Sequence, residues 1–134
     1  MGSSRAAGQQ PERRRFSRSS RIRLGSDIRG LLREGSRARS QYLDVFSAPS
    51  PLEAPRFGAI VPLFGRNVVS RNQLRRRLRE IGRIEVLPRL VGRGCGVDVL
   101  VRSRPRAYEV GFSELRTDLL RLTERLCSDE SFSG

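Results

Sequence analysis

With 134 residues and a formal charge of +13 at pH 7, the chain is long enough for one domain with a modest core and too short for two domains with polar flanks. All 27 basic residues are arginine, whose planar fork of donors matches phosphate oxygens, so nucleic acid is the default partner. The chain has no histidine, Cys95 and Cys127 lie far apart, and no apolar run approaches a membrane span; these facts exclude a zinc finger and a histidine base, and they predict reduced structural thiols and a cytoplasmic protein.

Residues 1–20 are rich in Gly, Ser, Gln and Arg with Phe16 as their large apolar group, which predicts a disordered basic arm. Ser26 or Asp27 can cap a helix over residues 27–34 that buries Ile28, Leu31 and Leu32, with Gly35 as a left-handed terminator. The alternation in Gln41 to Phe46 predicts a strand, with Leu43 and Val45 on one face and Tyr42, Asp44 and Phe46 on the other. After the proline-rich connector from Pro49 to Pro55, Arg56 to Val61 reads as a second strand, hairpin-paired to the first through that long loop.

Next comes Arg71-Asn72-Gln73-Leu74-Arg75-Arg76-Arg77-Leu78-Arg79-Glu80. Leu74, Leu78 and Ile81 recur at helical spacing as a packing stripe, while Asn72, Arg75, Arg76, Arg79 and Arg83 share the opposite side. So dense a positive face repels itself unless an anion neutralises it, which favours nucleic-acid contact over a merely solvated surface. The helix is expected to end between Arg83 and Val86, before Pro88. Gly92-Arg93-Gly94-Cys95-Gly96 precedes a strand, Val97 to Val101, and lacks the helix start of a phosphate loop, so it reads as a linker. Ser113 can cap a last helix carrying Leu115, Leu119, Leu122 and Leu126, and residues 128–134 form a flexible tail. The carboxylates are scattered: Asp44 and Asp98 look isolated in strands, and most of the acids read as ordinary solvated charges. No general base or metal-binding carboxylate cluster is available to cut RNA, so the chain reads as a binder.

Taken together, Arg56-Phe57-Gly58 leading to Asn67-Val68-Val69-Ser70-Arg71-Asn72-Gln73-Leu74-Arg75-Arg76 resembles the bacterial ribonuclease P protein component. The likeness runs from Arg21 to about Leu126 and includes Ser26 to Gly35, Tyr42 to Phe46, Val97 to Pro105 and the helix start at Phe112. The resemblance implies one small α/β domain over residues 21–127, of α+β sandwich type, in α-β-β-α-β-α order, with a mixed sheet and a left-handed βαβ crossover. It implies an accessory subunit that binds ribonuclease P RNA and the 5′ leader of precursor tRNA, while the RNA performs the cleavage with Mg2+; the protein itself has no catalytic or metal-binding residues, no cofactor, no DNA partner and no membrane partner. The positions it marks for RNA contact are Arg21, Asn67, Arg71, Asn72, Arg75, Arg76 and Arg79, and those for the leader cleft are Ile28, Leu32 and Phe46. Gln73, Pro62, Leu63, Phe64 and Arg66 depart from the family pattern, so leader stacking is expected to shift toward Tyr42 or Phe64. The competing reading is a non-enzymatic protein that binds structured RNA, ribosomal in type or a relative without leader binding. A DNA-reading helix-turn-helix is disfavoured by the interposed strands.

Overall fold

The computed structural model describes Arg21, Ile22 and residues 25–126. The basic arm expected over 1–20, the tail expected over 128–134 and Cys127 fall outside the described residues. In chain order the elements are α1 (Gly25–Glu34), β1 (Ser36–Arg39), β2 (Leu43–Pro49), β3 (Arg56–Ile60), α2 (Val68–Ile81), a π-helical turn (Gly82–Val86), α3 (Leu87–Gly92), β4 (Val97–Ser103), a 3-10 turn (Pro105–Glu109) and α4 (Phe112–Glu124).

The fold is a mixed α/β domain with four strands in the order β1-β2-β4-β3. β4 runs antiparallel to β2 and parallel to β3, so α2 and α3 form the crossover of a βαβ unit. This overturns the expected hairpin, because β4 separates the two strands and supplies the hydrogen bonds each would have given the other. It also adds β1, whose polar Ser-Arg-Ala-Arg run carries no apolar alternation to announce it.

Pleating sorts the sheet into two faces. Leu43 and Val45 of β2, Phe57 of β3 and Val97, Val99 and Val101 of β4 join Leu74, Leu78, Ile81, Val86 and the α4 leucines in the main core. All four leucines anticipated from the periodicity are buried, Leu115, Leu119 and Leu122 within α4 and Leu126 in the turn just beyond it. On the other face a smaller cluster of Ile22, Leu31, Phe46 and Leu100 receives Ile28 and Leu32 from α1.

Three local expectations are corrected. Gly35 does not adopt a left-handed conformation; a Cβ there would lie 2.7 Å from the Leu31 carbonyl oxygen and 3.0 Å from that of Ser47, so glycine is needed for close backbone approach. Ser113 lies inside the first turn of α4, and the cap is Gly111, whose amide donates to the Glu114 carboxylate at 3.1 Å. The long helical rod does not stop before Pro88, which sits in the first turn of α3, where its missing N–H is tolerated.

The π-helical turn presses Gly82 against the Phe57 ring so closely that a Cβ at that position would overlap it. Gly82→Ala is therefore expected to destabilise the fold by about 1–3 kcal/mol through overpacking, although alanine is the better helix former. Gly92→Ala, with nothing near its added Cβ, is expected to be neutral or stabilising, and urea denaturation of the two variants checks both signs.

Candidate nucleic-acid interface

α2 begins at Asn67, whose side-chain oxygen accepts the Ser70 amide at 2.8 Å and satisfies one orphan donor of the first turn. Its apolar stripe seats Leu74, Leu78 and Ile81 in the core, which turns the arginines outward. Arg21, Asn72, Arg75, Arg76, Arg79, Glu80 and Arg83 line one groove of about 390 Å³. A second groove beside it is lined by Arg21, Ile22, Phe57, Gly58, Ala59, Arg75 and Arg79. Arg21 reaches this place because its segment adds to the β3 edge, where the Ile22 amide donates to the Phe57 carbonyl at 3.2 Å.

Some of these charges are partnered within the groove. Glu80 binds Arg83 at 2.7 Å, while Asn72 Oδ1 accepts weakly from Arg71 and Arg75, each at 3.4 Å. Arg75 and Arg76 make no ion pair with an acid among the described residues. Burial, followed by repulsion from Arg21 and Arg75, lowers the Arg79 pKa, as expected for cations gathered in a partly buried groove. Six of the seven residues expected for RNA contact thus lie together: Arg21, Asn72, Arg75 and Arg76 with Arg79 line the grooves, and Arg71 reaches Asn72. The seventh, Asn67, is the helix cap.

The five residues named for a leader cleft do not share one site. Ile28, Leu32 and Phe46 meet in the smaller cluster. Tyr42 packs against the main core on the other side of the sheet and borders a depression with Ser113, Glu114, Thr117, Asp118 and Arg121. It lies before the strand begins, so strand alternation does not govern its direction. Phe64 is exposed in a tight turn with φ +50° beside Gly65 at +80°. Phe46 itself is only 3% exposed, with the guanidiniums of Arg37 and Arg102 at 5.4 and 5.1 Å from its ring centre.

Those arginines belong to a charged array that the sequence reading missed. Across the sheet, Arg39, Asp44 and Arg102 are register partners in one row, and Arg37, Phe46 and Leu100 in the next. Asp44 Oδ1 accepts from Arg39 Nε at 2.8 Å, and Oδ2 lies 3.3 Å from Arg102 Nη2 and 3.5 Å from Arg37 Nη2. In a third row Asp98 takes a bidentate pair from buried Arg56 at 2.8 and 2.6 Å, and Arg56 also reaches Asp27 of α1 at 3.2 Å. Asp44 and Asp98 are therefore buried ion-pair partners, contrary to the solvated reading. The cross-strand register that pairs them depends on strand order, which a linear sequence does not display. Arginines two apart at 37 and 39 were the available signal, since on a strand they share a face.

Cys95 is disulfide-bonded, against the expectation of a reduced thiol. Tertiary packing overrides sequence distance here: Arg93 beside it donates to the Glu124 carbonyl at 3.2 Å, bringing this turn to the end of α4. Among the described residues no group of three His, Cys, Asp or Glu side chains could hold a metal ion, and no helix is long and apolar enough to cross a membrane.

A four-stranded mixed sheet flanked by helices, with one helix presenting concentrated arginine, defines a small basic α/β protein suited to polyanions. The Ribonuclease P family model matches residues 16–127, and the chain belongs to that family. It is 35% identical over 121 residues to the ribonuclease P protein component of Acidothermus cellulolyticus, covering 85% of this chain and 93% of that one. The corresponding Nocardioides protein is also 35% identical, over 83% and 94% of the two chains. The solved ribonuclease P protein of Thermotoga maritima superposes with a TM-score of 0.65 at 30% identity, covering 78% of this chain and 96% of that one. Family membership makes the chain a protein component of a ribonuclease whose holoenzyme contains an RNA partner.

Two outcomes follow from this geometry. Asn67→Ala removes a cap and is expected to lower stability by about 1 kcal/mol, with Asn67→Asp restoring most of it in urea denaturation. Burial opposes ionisation of Asp44, but hydrogen bonds from Arg39 and Arg102 and the charges of Arg39 and Arg37 outweigh it and hold the pKa below the usual carboxylate range. Its contribution to stability is therefore present above the unfolded pKa of about 3.9 and is lost as pH falls through the lower folded value. The stability gap between wild type and Asp44→Asn should accordingly narrow as denaturation is measured from about pH 7 down to about pH 3.

Proposed function

We propose that the protein is the subunit of ribonuclease P that binds the catalytic RNA and the 5′ leader of precursor tRNA, assisting endonucleolytic removal of the leader and maturation of the tRNA 5′ end. The observation that carries this reading is the gathering of Arg21, Arg75, Arg76, Arg79 and Arg83 with Asn72 and Glu80 along one groove. Guanidiniums so placed neutralise RNA phosphates and release counterions, and they supply no group able to cut a phosphodiester. Hydrolysis and the Mg2+ ions that serve it belong to the RNA; the protein contributes affinity and orientation, with neither DNA nor membrane as a partner, in the cytoplasm. The leader is assigned to the sheet face bearing Phe46, Ile28 and Leu32, away from Tyr42.

A second reading, a structured-RNA binder that has lost leader recognition, is favoured by one observation, the burial of the Phe46 ring beneath two guanidiniums. Reconstitution separates the readings. Adding the pure chain to a bacterial ribonuclease P RNA at low magnesium should accelerate cleavage of precursor tRNA, and absence of acceleration would establish the second reading. In the same system Arg75→Ala with Arg76→Ala should weaken binding to the RNA and shallow the slope of log K against log salt by about two units at most. An unchanged slope would remove α2 from the contact surface.

A further inference from the structure

The sheet face that α1 partly covers carries an arrangement that charge counting does not explain. Asp44 is only 3% exposed, yet it is the meeting point of Arg37, Arg39 and Arg102, drawn from two strands on either side of it. One carboxylate against three guanidiniums leaves two positive charges uncompensated, so neutralisation is incomplete. Each guanidinium spends only part of its five donors on the carboxylate, and all three side chains remain at least one-third exposed. Phe46 supplies the second restraint, holding Arg37 and Arg102 over its ring. Flexible arginines ordinarily lose considerable rotamer freedom when they bind; these have already lost much of it in the fold.

We propose that Asp44 is a positioning residue for RNA, which with Phe46 sets Arg37, Arg39 and Arg102 as a preorganised tray for the phosphates and unpaired base faces of a single strand crossing the sheet. The inference rests on the leader reading above and specifies its chemistry: guanidinium donors and guanidinium faces grip the strand, while Phe46 supports them from beneath and touches no base. Arginine can do both jobs because its plane stacks while its edge donates.

The test turns on the sign of the effect. Asp44→Asn adds one unit of positive charge, so a residue that merely balances charge would, on removal, tighten binding to any RNA. A positioning residue gives the reverse. In the reconstituted holoenzyme, Asp44→Asn should weaken binding of precursor tRNA carrying a leader roughly five- to tenfold, in line with loss of part of a charge-assisted hydrogen-bond network, and leave mature tRNA without a leader unchanged. Asp44→Glu keeps the charge but displaces the carboxylate by one methylene; positioning requires the same selective loss, charge balance requires none. Tighter binding, no change, or an equal loss for both substrates would overturn the proposal. Should Asp44→Asn fail to fold, the Asp44→Glu comparison decides alone. Arg37→Gln with Arg102→Gln isolates the underlying reading: if that double variant weakens leader-bearing and leaderless tRNA equally, or neither, the leader assignment itself has failed, whereas a loss confined to leader-bearing tRNA there with wild-type behaviour at Asp44 defeats only the positioning role.

Discussion

β4 constrains where every charge on the sheet can sit. It lies between β2 and β3, and its alternation sends Val97, Val99 and Val101 into the main core while Asp98, Leu100 and Arg102 face α1. Because side chains repeat every second residue, a slip of one position would drive two charges into the core and three valines toward solvent, so the register is strongly specified. Arg56 reinforces it: its bidentate pair with Asp98 is available only when the two are parallel-register partners, and its reach to Asp27 ties α1 to the same point. The buried pair is better regarded as fixing alignment than as a large source of stability, since desolvation offsets much of its Coulomb attraction.

The arginine surfaces divide into two electrostatic regimes. On the sheet, guanidiniums converge on buried carboxylates and are held in place. On α2 they gather along one groove with Glu80, where burial and, after it, repulsion from Arg21 and Arg75 lower the Arg79 pKa. A fold tolerates that repulsion because Leu74, Leu78 and Ile81 bury the other side of the helix, and each such side chain contributes on the order of 2 kcal/mol. An RNA partner would relieve the strain of α2, whereas the sheet array is organised before any partner arrives. For an RNA ligand, the first kind of surface would give affinity that falls with salt and the second would give geometry.

What was legible in the sequence divides along the same line. Helical periodicity exposed α2, α4 and their buried leucines, because a stripe at three- and four-residue spacing is a local property. The groove around Arg75, Arg76 and Arg79 was legible for the same reason, and Arg21 was placed there only through family likeness. Strand order is non-local, and with it went the hairpin, β1 and the pairings of Asp44 and Asp98. Tyr42 was assigned by extending alternation one residue beyond the strand, where backbone direction is no longer fixed by the ladder. The π-helical turn hid behind Pro88, a residue that ordinarily ends a helix but is harmless in a first turn.

The two basic surfaces belong to one domain built on a single sheet. The α2 groove flanks the β3 edge through Arg21, and the array around Asp44 spans β1, β2 and β4, so they stand only a few strand spacings of about 4.8 Å apart. Backbone hydrogen bonds and the Arg56 pair set that separation. On the function proposed above, the protein accelerates the reaction by holding the large RNA on one surface and a substrate strand on the other in fixed relation, because the entropy of aligning them is met in the fold rather than at the moment of cleavage. Rigidity of the sheet, more than the number of arginines, is then what converts a polycation into a subunit.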